Sequence, residues 1–208
     1  TVEKSLFYKN IATFGTAIAQ NSKAYRVQAS EVEGKINIEN RFVKKGEVIL
    51  TLKDGEQLIA DFAGKLGKRE IAQGVLGSES LIITLDDLKR IVIDIKVPEN
   101  YVGVLKTGLK AEVTSSAYKK IFNGKIETIS SRIDPSTRSI LSRIVVDNSD
   151  SEIIPGQLMT VKIIYDEIDQ IGVPESAVTI QGNTAFVYTV DNDVVEKRNI
   201  EIGKRNFG

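Results

Sequence analysis

In Arg90-Ile91-Val92-Ile93-Asp94-Ile95-Lys96-Val97, every odd position is Ile or Val, and apart from Val92 every even position is charged. Successive side chains of an extended chain point to opposite faces, so this pattern predicts a strand with one face buried and one in water. Ala185-Phe186-Val187-Tyr188-Thr189-Val190 reads the same way, with β-branched and aromatic residues throughout. Asp191-Asn192-Asp193 follows as a turn, and Val194 to Ile202 as the return strand. Short strands broken by Gly, Asn and Asp turns recur from end to end, which predicts sandwiches or barrels. Helix is scarce. The best candidate is Pro98 to Leu105: Pro98 suits a first helical position, Glu99 the positive N-terminal end, Tyr101 and Leu105 share a face, and Gly108 lies beyond as a stop.

The apolar pattern also repeats. Gly34-Lys35-Ile36 is followed by Val43, Gly46, Ile49 and Leu52; Gly64-Lys65-Leu66 is followed by Leu76, Glu79, Ile82 and Leu85 with the same spacing of three. This predicts two similar β halves packed together, with glycines at their turns. Gly34, Gly46 and Gly156 are read as turn glycines that need positive φ.

Composition narrows the chemistry. Of 208 residues, 28 are Lys or Arg and 28 are Asp or Glu, so the basic excess of a nucleic-acid binder is missing. Hydrophobic content of 41% and charged content of 27% fit an ordered globular chain. Cys, His and Trp do not occur. That excludes disulfides, thiolate nucleophiles, a lipid-anchoring cysteine, Ser-His-Asp triads and His or Cys metal centres. The pair Asp86-Asp87 reads as a charged turn and not as an acid–base dyad, because nothing nearby would tune a pKa. No phosphate-cradling glycine loop is present, so no nucleotide hydrolysis is expected. No stretch approaches the roughly 18–20 apolar residues of a membrane span, and no signal peptide opens the chain. Thr1 is not a natural start, so the chain reads as mature or trimmed.

Particular segments resemble a known family. Glu33-Gly34-Lys35-Ile36 with Val43-Lys44-Lys45-Gly46-Glu47-Val48-Ile49-Leu50 resembles the first half of a lipoyl or biotinyl domain, and Ile59-Ala60-Asp61-Phe62-Ala63-Gly64-Lys65-Leu66 the start of its second half. Arg132-Ile133-Asp134-Pro135-Ser136-Thr137-Arg138-Ser139, Ile154-Pro155-Gly156-Gln157-Leu158-Met159-Thr160-Val161 and Val173-Pro174-Glu175-Ser176-Ala177-Val178 follow in order. Together they resemble the periplasmic adaptors, or membrane fusion proteins, of tripartite efflux pumps. The R-x-D-P-x-T-R-S loop favours the resistance-nodulation-division type.

The resemblance implies a mostly β, elongated string of modules: a lipoyl-like flattened barrel at 24–85, a β-barrel with one short helix at 86–167, and a membrane-proximal β module made of 1–23 with 168–208. It implies a non-enzymatic periplasmic subunit, held at the inner membrane of a two-membrane bacterium. That subunit would link a proton-driven inner-membrane transporter to an outer-membrane channel and self-associate into a ring, a trimer or hexamer. No cofactor, metal or nucleic acid is expected. With one Met and no His, a metal-delivering adaptor is disfavoured. An adaptor of an ABC-type exporter or secretion system is an alternative, and a biotinyl or lipoyl carrier is one of another class. For the carrier, Lys53 would be the modified residue, yet no Met-Lys-Met or Asp-Lys-Ala context surrounds it, and it reads as a solvated turn lysine.

Most members of the family insert a long α-helical hairpin between the lipoyl halves. Here only Lys53 to Leu58 join Leu52 to Ile59, whether by nature or by excision. The turn residues Lys53, Asp54, Gly55 and Glu56 are therefore candidates to face the outer-membrane channel. Arg132, Asp134, Pro135, Thr137 and Arg138 form the second candidate group. They could build a turn, with Asp134 accepting backbone hydrogen bonds and Arg132 or Arg138 pairing with a carboxylate, or they could contact the transporter or the next adaptor copy.

Overall fold

The computed structural model describes residues 2–33, 40–70 and 80–205. Its strands, in chain order, are β1 (Glu3–Ala19), β2 (Ser22–Gln28), β3 (Phe42–Val43), β4 (Val48–Thr51), β5 (Gln57–Ile59), β6 (Gly64–Glu70), β7 (Ser80–Asp86), β8 (Arg90–Pro98), β9 (Lys110–Ser115), β10 (Tyr118–Asp134), β11 (Ser139–Asp147), β12 (Leu158–Gly172), β13 (Thr179–Gln181), β14 (Thr184–Asp191) and β15 (Val194–Ile200). The chain divides into two units, residues 12–162 and residues 1–11 with 163–208. β1 and β12 run across that division.

In the larger unit the alternation at residue 90 becomes β8. Ile91, Ile93, Ile95 and Val97 are all buried. β8 belongs to a closed barrel of strand order β1-β12-β9-β10-β11-β8, so no strand edge is left unpaired there. Val113, Phe122, Ile126, Ile144, Val146, Met159 and Val161 are buried on the neighbouring strands. Each such side chain taken from water contributes roughly 1.5–3 kcal/mol before entropy is counted. Val92 and Val145 oppose each other across β8 and β11, and both are buried, so this strand pair is covered on both faces.

Two backbone details close the barrel. A Cβ at Gly15 would lie 2.4 Å from the Asp94 carbonyl oxygen, so only glycine allows β1 to run this close to β8. The turn at Pro155-Gly156, with Gly156 at φ +94°, ties β12 to β1: Gly156 N donates to Ala17 O and Ala17 N to Gln157 O, each at 2.8 Å. Asn148 fixes the β11–β12 connection. Its buried amide donates to Leu88 O and Ile153 O, and its Oδ1 accepts from Ile153 N at 2.8 Å.

The same unit holds a sheet of order β2-β7-β6-β3 and the hairpin β4-β5. Val43 and Ile49 share one core with Leu66, Leu85, Tyr25, Ala60 and Ile83, so the apolar positions of the two predicted halves do meet. Gly46 adopts φ +81°, as a turn glycine should. Gly64 does not: it starts a strand, where a Cβ would come 2.6 Å from Asp86 O, so close approach and not turn geometry selects glycine. Gly34, Lys35, Ile36, Leu76 and Glu79 lie outside the described residues. Asp86 accepts from the Ser22 hydroxyl at 2.6 Å and Asp87 from Lys89 N at 3.2 Å, the structural use expected of that pair.

The predicted helix at Pro98–Leu105 is corrected to a single 3-10 turn at Glu99–Tyr101 followed by further turns. Pro98 ends β8 in extended geometry, ψ 146°, one step before the position expected for it. The β-branched Val102 and Val104 flanking Gly103 disfavour continuation, and a short helix has too few bonds to offset its nucleation cost.

In the smaller unit, β13-β14-β15 form a sheet with Phe186 and Val187 buried. Asn192 and Asp193 connect β14 to β15 with φ of 47° and 62°, the two-residue left-handed turn that suits the twist of a hairpin. The return strand ends at Ile200 and not Ile202. Asp166 receives Lys204 at 2.9 Å and Lys9 at 3.3 Å, and these two cations hold its carboxyl below the usual range.

Candidate partner-contact loops

The segment Arg132–Ser139 is the end of the β10–β11 hairpin, with Asp134 opposite Ser139. Along β10 the pairing steps from Ile129 to Ile133 while β11 advances only from Ser142 to Ile140. Arg132 therefore sits in a bulge of the longer strand, which re-aims side chains at the rim of a barrel. Its amide donates to Ser130 Oγ at 3.2 Å, and its guanidinium has no hydrogen bond or ion pair among the described residues.

Past the bulge the turn is tied to itself. Asp134 Oδ1 accepts from the Ser136 hydroxyl at 2.6 Å and from Ser136 N at 2.9 Å. Those two bonds, hydroxyl first, with smaller help from the Thr137 hydroxyl and amide, bring the Asp134 carboxyl from an ordinary 3.8 down to about 2. Pro135 follows in the turn, and Thr137 Oγ1 lies 2.8 Å from Ser139 Oγ. Arg138 occupies the left-handed region at φ 49°. Its carbonyl accepts from Glu99 N at 3.0 Å, and its Nη1 lies 3.6 Å from Glu99 Oε2. Asp134 thus makes the side-chain turn the sequence suggested, Arg138 supplies the carboxylate pairing, and Arg132 keeps a cation beside them that has no partner among the described residues. Glu99, the anchor of the loop, was read from sequence only as a helix-boundary residue; it lies far from Arg138 along the chain, and no local pattern links them.

The other candidate, Lys53–Glu56, caps the β4–β5 hairpin. Leu52 N donates to Glu56 O at 2.8 Å, Gly55 N to Leu52 O at 2.9 Å and Glu56 N to Asp54 Oδ1 at 3.0 Å, with Gly55 at φ +88°. Lys53 N donates to Glu31 O at 2.8 Å, which fastens the turn from the side. The four residues are exposed; Asp54 is held by the Glu56 amide, and the charged ends of Lys53 and Glu56 have no partner among the described residues. This is a finished tight turn with no helical hairpin in it. The two loops share no hydrogen bond or ion pair. Among the described residues there is no group of three or more Asp or Glu side chains that could hold a metal ion.

Residues 91–166, from β8 to the middle of β12, match the family of the CusB-like, beta-barrel domain. Over these residues the barrel is of the CusB-like type. It is 24% identical over 149 residues to the nodulation protein NolF of Rhizobium meliloti, covering 70% of this chain and 40% of that protein. It is 22% identical over 208 residues to the multidrug resistance protein MdtA of Salmonella typhi, covering 94% of this chain and 50% of that protein. The chain thus spans about half the length of these curated relatives or less. The crystal structure of MacA from Actinobacillus actinomycetemcomitans has the same fold, with a TM-score of 0.62 at 14% identity, over 99% of this chain and 92% of that one.

Proposed function

We propose that this chain is a membrane fusion protein, the adaptor subunit of a tripartite drug efflux pump, linking an inner-membrane resistance-nodulation-division transporter to an outer-membrane channel. The observation that carries the reading is the closed barrel, whose residues 91–166 match the CusB-like domain family and which holds the R-x-D-P-x-T-R-S loop at one hairpin end. Relatives along the chain include a protein named for multidrug resistance. In this reading 86–167 is the barrel module, 24–85 the lipoyl-like module, and 1–23 with 168–208 the membrane-proximal module.

The adaptor acts in the periplasm at the inner membrane and performs no chemistry of its own; energy comes from the transporter. Copies ring the assembly. Arg132, Asp134, Pro135, Thr137 and Arg138 present the contact loop toward the transporter or the next copy, since a guanidinium on a bulge with no partner among the described residues can make the forked bonds Arg favours at interfaces. The turn Lys53–Glu56 takes the place of the missing hairpin tip and faces the outer-membrane channel.

The test is complementation. In a strain deleted for the gene, the wild-type protein should restore drug resistance and co-purify a proton-driven transporter. A protein that restores neither, with the transporter and channel both expressed, would overturn the assignment.

A further inference from the structure

The smaller unit contains a cavity of about 680 Å³ that the sequence did not suggest. Phe7, Ile171, Val178, Ile180, Ile200 and Ile202 give it apolar walls. The Phe7 ring packs against residue 172, which is glycine: a Cβ there would come 2.9 Å from Phe7 Cζ. Ile171 and Ile180 remain 72% and 60% exposed, so the walls are uncovered apolar surface that gains by contact with a ligand. The volume falls in the range of small-molecule sites, about 300–1,000 Å³.

The charged lining chooses the ligand. Lys204 and Arg205 line the cavity, but each already faces a carboxylate, Asp166 at 2.9 Å and Glu175 at 3.4 Å. Glu3 and Glu201 also line it, and neither has a hydrogen bond or ion pair among the described residues. The cations are spoken for and two anions are not. An apolar wall with an aromatic ring beside unpaired carboxylates suits a cation that carries its own hydrophobic surface.

We propose that this cavity binds lipophilic organic cations, through Glu3 and Glu201 for the charge and the Phe7–Ile180 wall for the body. The proposal rests on the adaptor reading only for its purpose: such a site would let the adaptor take up cationic substrates of the pump. The binding itself stands on the cavity.

Calorimetric titration of the 208-residue chain with tetraphenylphosphonium tests it, with tetraphenylborate as a probe of the same size and opposite charge. One saturable site for the cation is expected, with tetraphenylborate at least about fivefold weaker. The double variant Glu3→Gln/Glu201→Gln should weaken the cation by about fivefold or more. Ile180→Lys, at an exposed wall position, should remove binding while circular dichroism stays unchanged. Absence of saturable binding, equal or tighter binding of tetraphenylborate, or unchanged affinity in the double variant would each overturn the proposal. Capture of the transporter from membranes is scored in the same preparations. Capture without cation binding overturns the cavity proposal alone, and cation binding without capture overturns the adaptor reading alone.

Discussion

Glu99 and Arg138 are joined twice: the Glu99 amide donates to the Arg138 carbonyl at 3.0 Å, and the Arg138 guanidinium lies 3.6 Å from the Glu99 carboxylate. The backbone bond holds the hairpin end against the start of the next turn. The side-chain pair is exposed and contributes at most about 1 kcal/mol. Fold and charge can therefore be separated at this loop. Arg138→Asp should fold with a melting temperature within a few degrees of wild type, yet lower drug resistance in the complementation assay. Normal folding with full resistance would remove Arg138 from the contact surface.

Arg132 gives a cleaner case, because its guanidinium makes no intramolecular bond among the described residues. Arg132→Ala should change unfolding free energy by less than about 0.5 kcal/mol in urea titration. The same variant should weaken capture of the transporter. A loss of stability above that range would mean the residue serves the turn instead.

Asp134 links the loop to pH. Its folded-state value of about 2 lies below the ordinary 3.8, so the unfolded chain binds the extra proton as pH falls through that interval. The turn's contribution is present above 3.8 and is lost toward about 2. Asp61, Asp147 and Asp166 are shifted in the same direction, so the whole protein loses stability in acid. Asp134→Ala should be less stable than wild type at neutral pH, and the gap should narrow as melting is followed downward from pH 5 to pH 2. A gap independent of pH would contradict the charged turn.

Two glycines should respond differently to alanine. At Gly15 the new Cβ meets a carbonyl oxygen of β8 at 2.4 Å, so β1 must shift; a loss of about 1–3 kcal/mol is expected. At Gly46 nothing lies within 4 Å, and only the φ of +81° is penalised, by about 1 kcal/mol. Urea midpoints for the pair measure both. Equal costs would mean that β1 is not held against β8 as described.

What could be read from the sequence was whatever a period or a short turn controls. The alternation at Ile91–Val97 needs only a barrel interior on one side, and Asn192-Asp193 and Asp134-Pro135 carry their turn chemistry in adjacent residues. The segment at Pro98–Leu105 misled because Pro98, Glu99 and Gly108 are helix-boundary residues, while Val102, Gly103 and Val104 between them break the run into turns. Pairings set by tertiary approach left no local mark: Arg138 with Glu99, Asn148 with Leu88 and Ile153, and the gathering of Glu3, Phe7 and Glu201 around one cavity. Of the two candidate loops, the turns themselves were legible; the freedom of the Arg132 guanidinium became visible only once its neighbours were placed.

The most direct test of the adaptor role is site-specific photo-cross-linking in cells, with the photoreactive residue placed in turn at Arg132 and at Lys53. The account predicts that position 132 captures the inner-membrane transporter or a second adaptor copy, and that position 53 captures the outer-membrane channel. Capture of neither membrane protein from either position, together with an intact mass showing biotin or lipoate on Lys53, would contradict it.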